Sequence, residues 1–81
     1  MKIKPLRADI KQYLISHKLT KKFEKAKRLF EADLRHPSLN TELLEPAHRG
    51  IYSFRLDLKY RALFFIDGDT AEVFVVTNHY K

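Results

Sequence analysis

An α+β fold, with two N-terminal helices packed on one face of a twisted antiparallel sheet, is what this sequence predicts. Three observations carry the prediction. Apolar residues recur at helical spacing through the first part of the chain, the pattern switches from Ile51 onward to alternation rich in aromatic and β-branched residues, and an Asp67-Gly68 pair separates two of those alternating runs. Each helical stripe needs an apolar surface to cover, and one face of a sheet supplies it.

The elements follow in order. Residues 2 to 4 predict a possible short edge strand before Pro5, after which Leu6, Ile10, Tyr13, Leu14 and His17 recur at helical spacing and define a first helix ending near Lys18. His17, on that stripe, is expected to pack as a core or boundary residue. Thr20 is the expected N-cap of a second helix in which Phe23, Ala26, Phe30 and Leu34 form the buried stripe and lysines fill the outer face. His36 and Pro37 stop it, because a residue before proline is pushed out of the helical region, and a His36 imidazolium would suit the negative end of the helix. Residues 37 to 50 hold two prolines and no sustained period, so they read as a loop that touches the core through Leu39, Leu43 and Leu44. Three strands follow at 51 to 56, 60 to 66 and 71 to 77, joined by Asp57-Leu58 and by Asp67-Gly68-Asp69-Thr70 into an antiparallel meander. Phe54, Phe64, Phe65 and Phe74 are core candidates with no assigned binding role. No repeat, low-complexity tract or linker interrupts residues 1 to 81, which read as a single domain.

Composition narrows the function classes. At 81 residues, with 44% hydrophobic residues, six phenylalanines and four tyrosines, the chain suits one modest core and not disorder. The absence of cysteine removes both a disulfide framework and a thiolate zinc site, and fits a reducing compartment. The basic first residues are followed by no unbroken apolar run, and no stretch approaches the ~20 apolar residues of a membrane span, so a cytoplasmic protein without a membrane partner is expected. The net charge of +6 is concentrated in residues 1 to 36, which carry eleven Lys/Arg against four Asp/Glu. Such a surface suits a polyanion or an acidic protein, although lysines that merely keep two helices solvated read the same way from charge alone. No two of the four histidines are three or four residues apart, so a histidine-based metal site is not expected.

The order helix, helix, loop, meander, with the run FRLDLKYRALFFI at 54 to 66 and the C-terminal NHY at 78 to 80, resembles the RelE/ParE superfamily of toxins and most closely its YoeB-like mRNA interferases. The resemblance spans nearly the whole chain, through short and degenerate motifs. It implies the toxin of a type II toxin–antitoxin pair: a ribosome-associated endoribonuclease that cleaves mRNA without metal or cofactor and inhibits translation. It also implies a cognate antitoxin as partner, as a toxin monomer or a small heteromer. Family members carry an arginine on the first meander strand, a second about six residues on, and a short aromatic or basic tail, which here map to Arg55, Arg61, and His79 with Tyr80. Counting back from Gly50 places Glu42 at the family's glutamate base. Two departures stand out: Lys81 follows the terminal tyrosine, and acidic Glu45 stands where a basic residue belongs.

Metal-free RNA cleavage needs a base for the 2′-hydroxyl proton, cations for the phosphorane and an acid for the leaving 5′-oxygen. Glu42, Arg61 with Arg55, and His79 match those needs, since histidine as a residue type donates protons near neutral pH. Strand parity agrees, because Arg55, Arg61, Thr77 and His79 all fall on odd positions. Tyr80 would stack on a base or carry a second proton. Lys59, His48, Arg49 and Lys81 complete the expected phosphate contacts. Lys18, Lys21, Lys22, Lys25 and Arg28, with Lys27, form the expected ribosomal RNA surface, since lysines read backbone phosphate without sequence preference. Each assignment has a plainer alternative: Arg61 paired with Asp57 or Glu72, Arg55 as a cross-strand partner of a carboxylate, His79 as a solvated tail, Glu42 as one solvated carboxylate beside Glu45. Sister toxins of the ParE kind share the fold but bind DNA gyrase and cleave nothing, and a degenerate toxin that keeps only antitoxin binding is a third reading.

Overall fold

The computed structural model describes residues 1–79. Two helices, α1 (Ala8–Ser16) and α2 (Thr20–Ala32), cover one face of a five-stranded sheet built from β1 (Lys2–Ile3), β2 (Glu42–Leu43), β3 (Tyr52–Arg55), β4 (Arg61–Asp67) and β5 (Thr70–Thr77). The strand order is β1-β5-β4-β3-β2. The expected meander is β3-β4-β5, antiparallel throughout, while β1 pairs with β5 in parallel. The sheet is therefore mixed. Among the described residues no helix is long and apolar enough to cross a membrane.

The helices are shorter than their stripes suggested, and backbone sterics give the reason. Arg7, two residues after Pro5, is still extended at φ −64°, ψ 156°, so α1 begins at Ala8 and not at Leu6. It ends at Ser16 because Lys18 turns left-handed at φ 57°, letting the Leu19 N–H reach back to the Leu14 carbonyl at 2.7 Å. Leu19 is thereby carried into the core and takes the cap position, and Thr20 becomes the first helical residue instead of the cap. At the other end Asp33 is extended and its carboxylate accepts the Arg35 N–H, so α2 stops at Ala32, before the histidine–proline pair. His36 therefore has no helix dipole to complement. Its Nδ1 accepts the Ser38 N–H and caps the 3-10 turn Pro37–Leu39. His17, expected in the core or at its boundary, is exposed, with its ring stacked on Tyr13 at 3.9 Å and edge-on to Tyr60.

The core is one cluster in which Ile10, Leu14, Leu19, Phe23, Ala26 and Phe30 meet Phe54, Ala62, Phe64, Val73 and Val76. Phe30 is its centre, with ring centroids 5.2 Å from both Phe54 and Phe64. Phe65 and Phe74 are not part of it. A bulge pairs Leu63 with Val75 but Phe64 with Val73, leaving Phe74 as the extra residue. Phe65 and Phe74 turn to the helix-free face and pack on each other at 5.9 Å. The segment expected as a loop contains β2 and two 3-10 turns; its Leu39 is buried, whereas Leu43 is 46% exposed on the sheet edge.

Asp57 organises the connection between β3 and β4. Its carboxylate accepts the N–H groups of Lys59 and Tyr60 at 2.8 and 2.7 Å, and the Lys22 ammonium of α2 at 2.8 Å. Burial pushes its pKa up, but Lys22 and the two N–H groups more than offset this and hold it below the ordinary carboxylate value. A depressed folded-state pKa gives stability that is fully present above the unfolded value of about 3.9 and is lost as pH falls through the folded one. Asp57→Asn keeps the shape and removes the charge. We expect it to lower stability at neutral pH by about 0.5–1 kcal/mol. Urea midpoints measured across pH should show that gap closing below about pH 4, and a gap that persists unchanged there would assign it to something other than the charge.

Candidate functional site

The face of the sheet away from the helices carries Glu42 and Arg61, two of the expected catalytic residues. Cross-strand register sets two rows on it, one through Glu42, Ser53, Leu63 and Val75, the next through Arg55, Arg61 and Thr77. Residues directly opposite one another share a face, so Arg55, Arg61 and Thr77 lie together; Thr77 joins them through the bulge, because the odd residues before it, Ala71 and Val73, belong to the core face. Beyond β5 the chain turns on Thr77, whose Oγ1 accepts the His79 N–H at 2.9 Å, fixing the His79 backbone against the end of the strand.

A groove of about 640 Å³ lies on this face and brings Glu42, Glu45, Arg49 and His79 together over an apolar floor that includes Leu63 and Phe74. The wall that carries Glu42 and Arg49 is the segment read as an irregular loop. Glu42 is held there by pairing with Ser53, and Arg49 ends a 3-10 turn closed by Gly50 at φ 66°. That conformation suits glycine, which lacks the Cβ that strains it. Nothing in the local sequence period marks the β2–β3 pairing, because it joins residues across a long excursion.

Other expected site residues fall elsewhere. Arg55 lines a separate cleft of about 190 Å³ against α2, with Lys22, Lys25, Ser38 and Leu39. His48 and Lys59 are exposed on turns, and neither lines the groove. Tyr80 and Lys81 lie outside the described residues. Lys18, Lys21, Lys25 and Arg28 are exposed, the last three recurring along the outer side of α2, while Lys22 is drawn aside to Asp57.

Arg61 differs most from its expected placement. It is 4% exposed, and its guanidinium faces protein acceptors on the groove side of the sheet. Nε donates to Ser53 Oγ at 2.8 Å, and Nη2 donates to the Asn40 carbonyl and to the Ser53 carbonyl at 3.3 Å. The carboxylates weighed as its partners are engaged elsewhere, Asp57 with Lys22 and Glu72 with Lys4 at 3.6 Å. A buried guanidinium needs its N–H groups satisfied, and these carbonyls and this hydroxyl contribute to that. Sequence reading did not single out Ser53. Its one signal was a small polar residue at odd parity between Tyr52 and Phe54.

Among the described residues, no group of three or more His, Asp or Glu side chains lies close enough together to hold a metal ion. Chemically, the groove offers a carboxylate, a guanidinium and an imidazole around one opening, a set suited to proton transfer at a phosphate ester.

No protein-family model matches the chain, and no curated protein sequence matches it significantly. Its architecture is nonetheless similar to a solved structure, the YoeB/ParE toxin from Agrobacterium tumefaciens, with a TM-score of 0.73 and 18% identity over 99% of this chain and 100% of that one. The order of helices and strands matches the α+β arrangement anticipated from the sequence, and the chain shares the fold of that toxin structure.

Proposed function

We propose that the protein is the toxin of a toxin–antitoxin pair and acts as an endoribonuclease on messenger RNA at the ribosome. One observation carries this reading: a single groove on the open sheet face brings Glu42 and Arg49, from the segment before β3, together with His79, from beyond β5. In the proposed reaction Glu42 takes the proton of a ribose 2′-hydroxyl, and the 2′-oxygen attacks the adjacent phosphorus. The bond from phosphorus to the 5′-oxygen breaks, and His79 protonates the leaving oxygen. The products are a 2′,3′-cyclic phosphate and a 5′-hydroxyl end. Arg49 offers a cation in the same groove for the developing phosphorane charge, a term of the kind that dominates such catalysis. Tyr80, next along the chain, is the proposed stacking surface, and Lys81 a further phosphate contact. The exposed Lys18, Lys21, Lys25 and Arg28 are the proposed ribosomal RNA contacts, and the cognate antitoxin would silence the protein by covering the groove.

The test is translation in a cell-free bacterial extract, with the 5′ ends of the message mapped by primer extension. Wild-type protein is expected to produce discrete new ends, and His79→Ala to reduce them by about 10²–10⁴-fold, the range for loss of a general acid. Intact message with wild-type protein would overturn the nuclease reading in favour of binding without cleavage. Because the structural neighbour carries both the YoeB and the ParE names, gyrase supercoiling is the assay that then follows.

A further inference from the structure

We infer that Arg61 and Ser53 form a positioning pair that fixes the strand carrying Glu42, so that Arg61 serves the groove through the backbone of β2. This rests on the assignment of Glu42 above. β2 is a two-residue edge strand, and both its residues are exposed. Its own pairing consists of the register Glu42↔Ser53 and Leu43↔Tyr52, extended by the Leu44 N–H on the Ile51 carbonyl at 2.8 Å. A strand this short, with little side-chain burial, holds its place weakly.

What reinforces it comes from beneath. Ser53, the direct cross-strand partner of Glu42, is fully buried, and its hydroxyl accepts Arg61 Nε. The same guanidinium reaches past β3 to the Asn40 carbonyl, two residues before Glu42, where the backbone turns left-handed at φ 44° to enter β2. One rigid, charged fork from β4 thus holds both the residue opposite Glu42 and the turn that leads into it. Bonds from a guanidinium are among the stronger ones, and their planar geometry constrains two acceptors at once. On the far side Thr41 Oγ1 donates to the Leu34 carbonyl at 2.7 Å, tying the segment to the chain after α2. The carboxylate of Glu42 is left exposed while its backbone is anchored, which is the combination a base in an open groove requires.

Two variants and two readouts test this. Ser53→Ala removes the hydroxyl without adding volume, and Arg61→Lys keeps the charge but cannot hold two acceptors in a plane. Amide hydrogen exchange followed by NMR is expected to show the Leu44 amide exchanging about tenfold faster or more in both variants, because losing one charged hydrogen bond beside the edge strand lets its pairing open more often. The amides of Phe64 and Val73 in the central strands should exchange at wild-type rates. In the cleavage assay the same variants should lower kcat with KM little changed, because substrate contacts stay while the base loses its placement. Acceleration spread evenly over the sheet, or none at Leu44, would overturn the inference. The exchange arm requires no nuclease activity, so a wild-type protein that cleaves nothing removes the proposed function while the exchange data still decide whether the pair holds β2.

Discussion

Phe30→Ala is expected to destabilise the protein by about 3–5 kcal/mol, the range for emptying a phenylalanine site in a packed core. Phe30 is fully buried, and its ring lies tilted against Phe54 at 38° and edge-on to Phe64 at 85°. It is the place where α2 meets two strands at once, so the cavity left behind cannot be closed by moving one side chain. A chain of this length commands roughly 4–12 kcal/mol in total at 0.05–0.15 kcal/mol per residue. The variant should therefore melt tens of degrees lower or fail to show a cooperative transition by circular dichroism. Phe65→Ala is the control, because Phe65 is 37% exposed on the helix-free face and should change stability by under about 1 kcal/mol. Equal losses from the two variants would mean that the helix–sheet interface is not where stability resides.

Glu42→Gln is expected to slow RNA cleavage by about 10²–10⁴-fold, the range for removing a general base, at nearly unchanged KM. The substitution keeps the side chain's size, and the backbone pairing with Ser53 does not involve the carboxylate. Folding and groove shape should therefore survive, which a melting curve checks. Glu45→Gln in the same groove separates the loss of a base from the loss of any negative charge: it should leave the rate within a few fold or raise it, since a carboxylate near phosphate repels it. If both variants cleave at the wild-type rate, the proton must go elsewhere and the proposed mechanism is wrong at its first step.

These expectations draw unequally on sequence and structure. The stripe Ile10, Leu14, Phe23, Ala26, Phe30 was legible because a helix repeats locally, and the alternation through Phe54, Ala62 and Phe64 was legible for the same reason. The hairpin at Asp67-Gly68 was marked by residue chemistry, since Gly68 takes a positive φ of 64° there. Phe74 was misplaced because it is the extra residue of a bulge, which leaves no trace in the period, whereas Phe65 follows the core residue Phe64 directly and simple alternation turns it to the other face. His36 was read as the end of α2 on the strength of the proline after it, whereas the carboxylate of Asp33 had already drawn the chain away.

At the candidate site the division is similar. The residue types were proposed from resemblance to a toxin family, and the shared face of Arg55 and Arg61 was legible from parity, whereas Thr77 joins them only through the bulge in β5. Their individual placements were not legible. Sequence offers no means of seeing that a hydroxyl two positions before Arg55 and a carbonyl from a distant turn would both accept from Arg61.

The sequence by itself determined which stretches are helix and which are strand, where the hairpin turns, and which stripe of each helix seeks the sheet, because these depend on the spacing of neighbours along the chain. Only the tertiary structure decided that β1 would run parallel beside β5, that a segment without period would become the edge strand β2, and that Arg61 would be buried beneath it. Those outcomes depend on which distant surfaces close upon one another. That selection is made by burial and hydrogen-bond satisfaction across the whole core, and no local pattern records it.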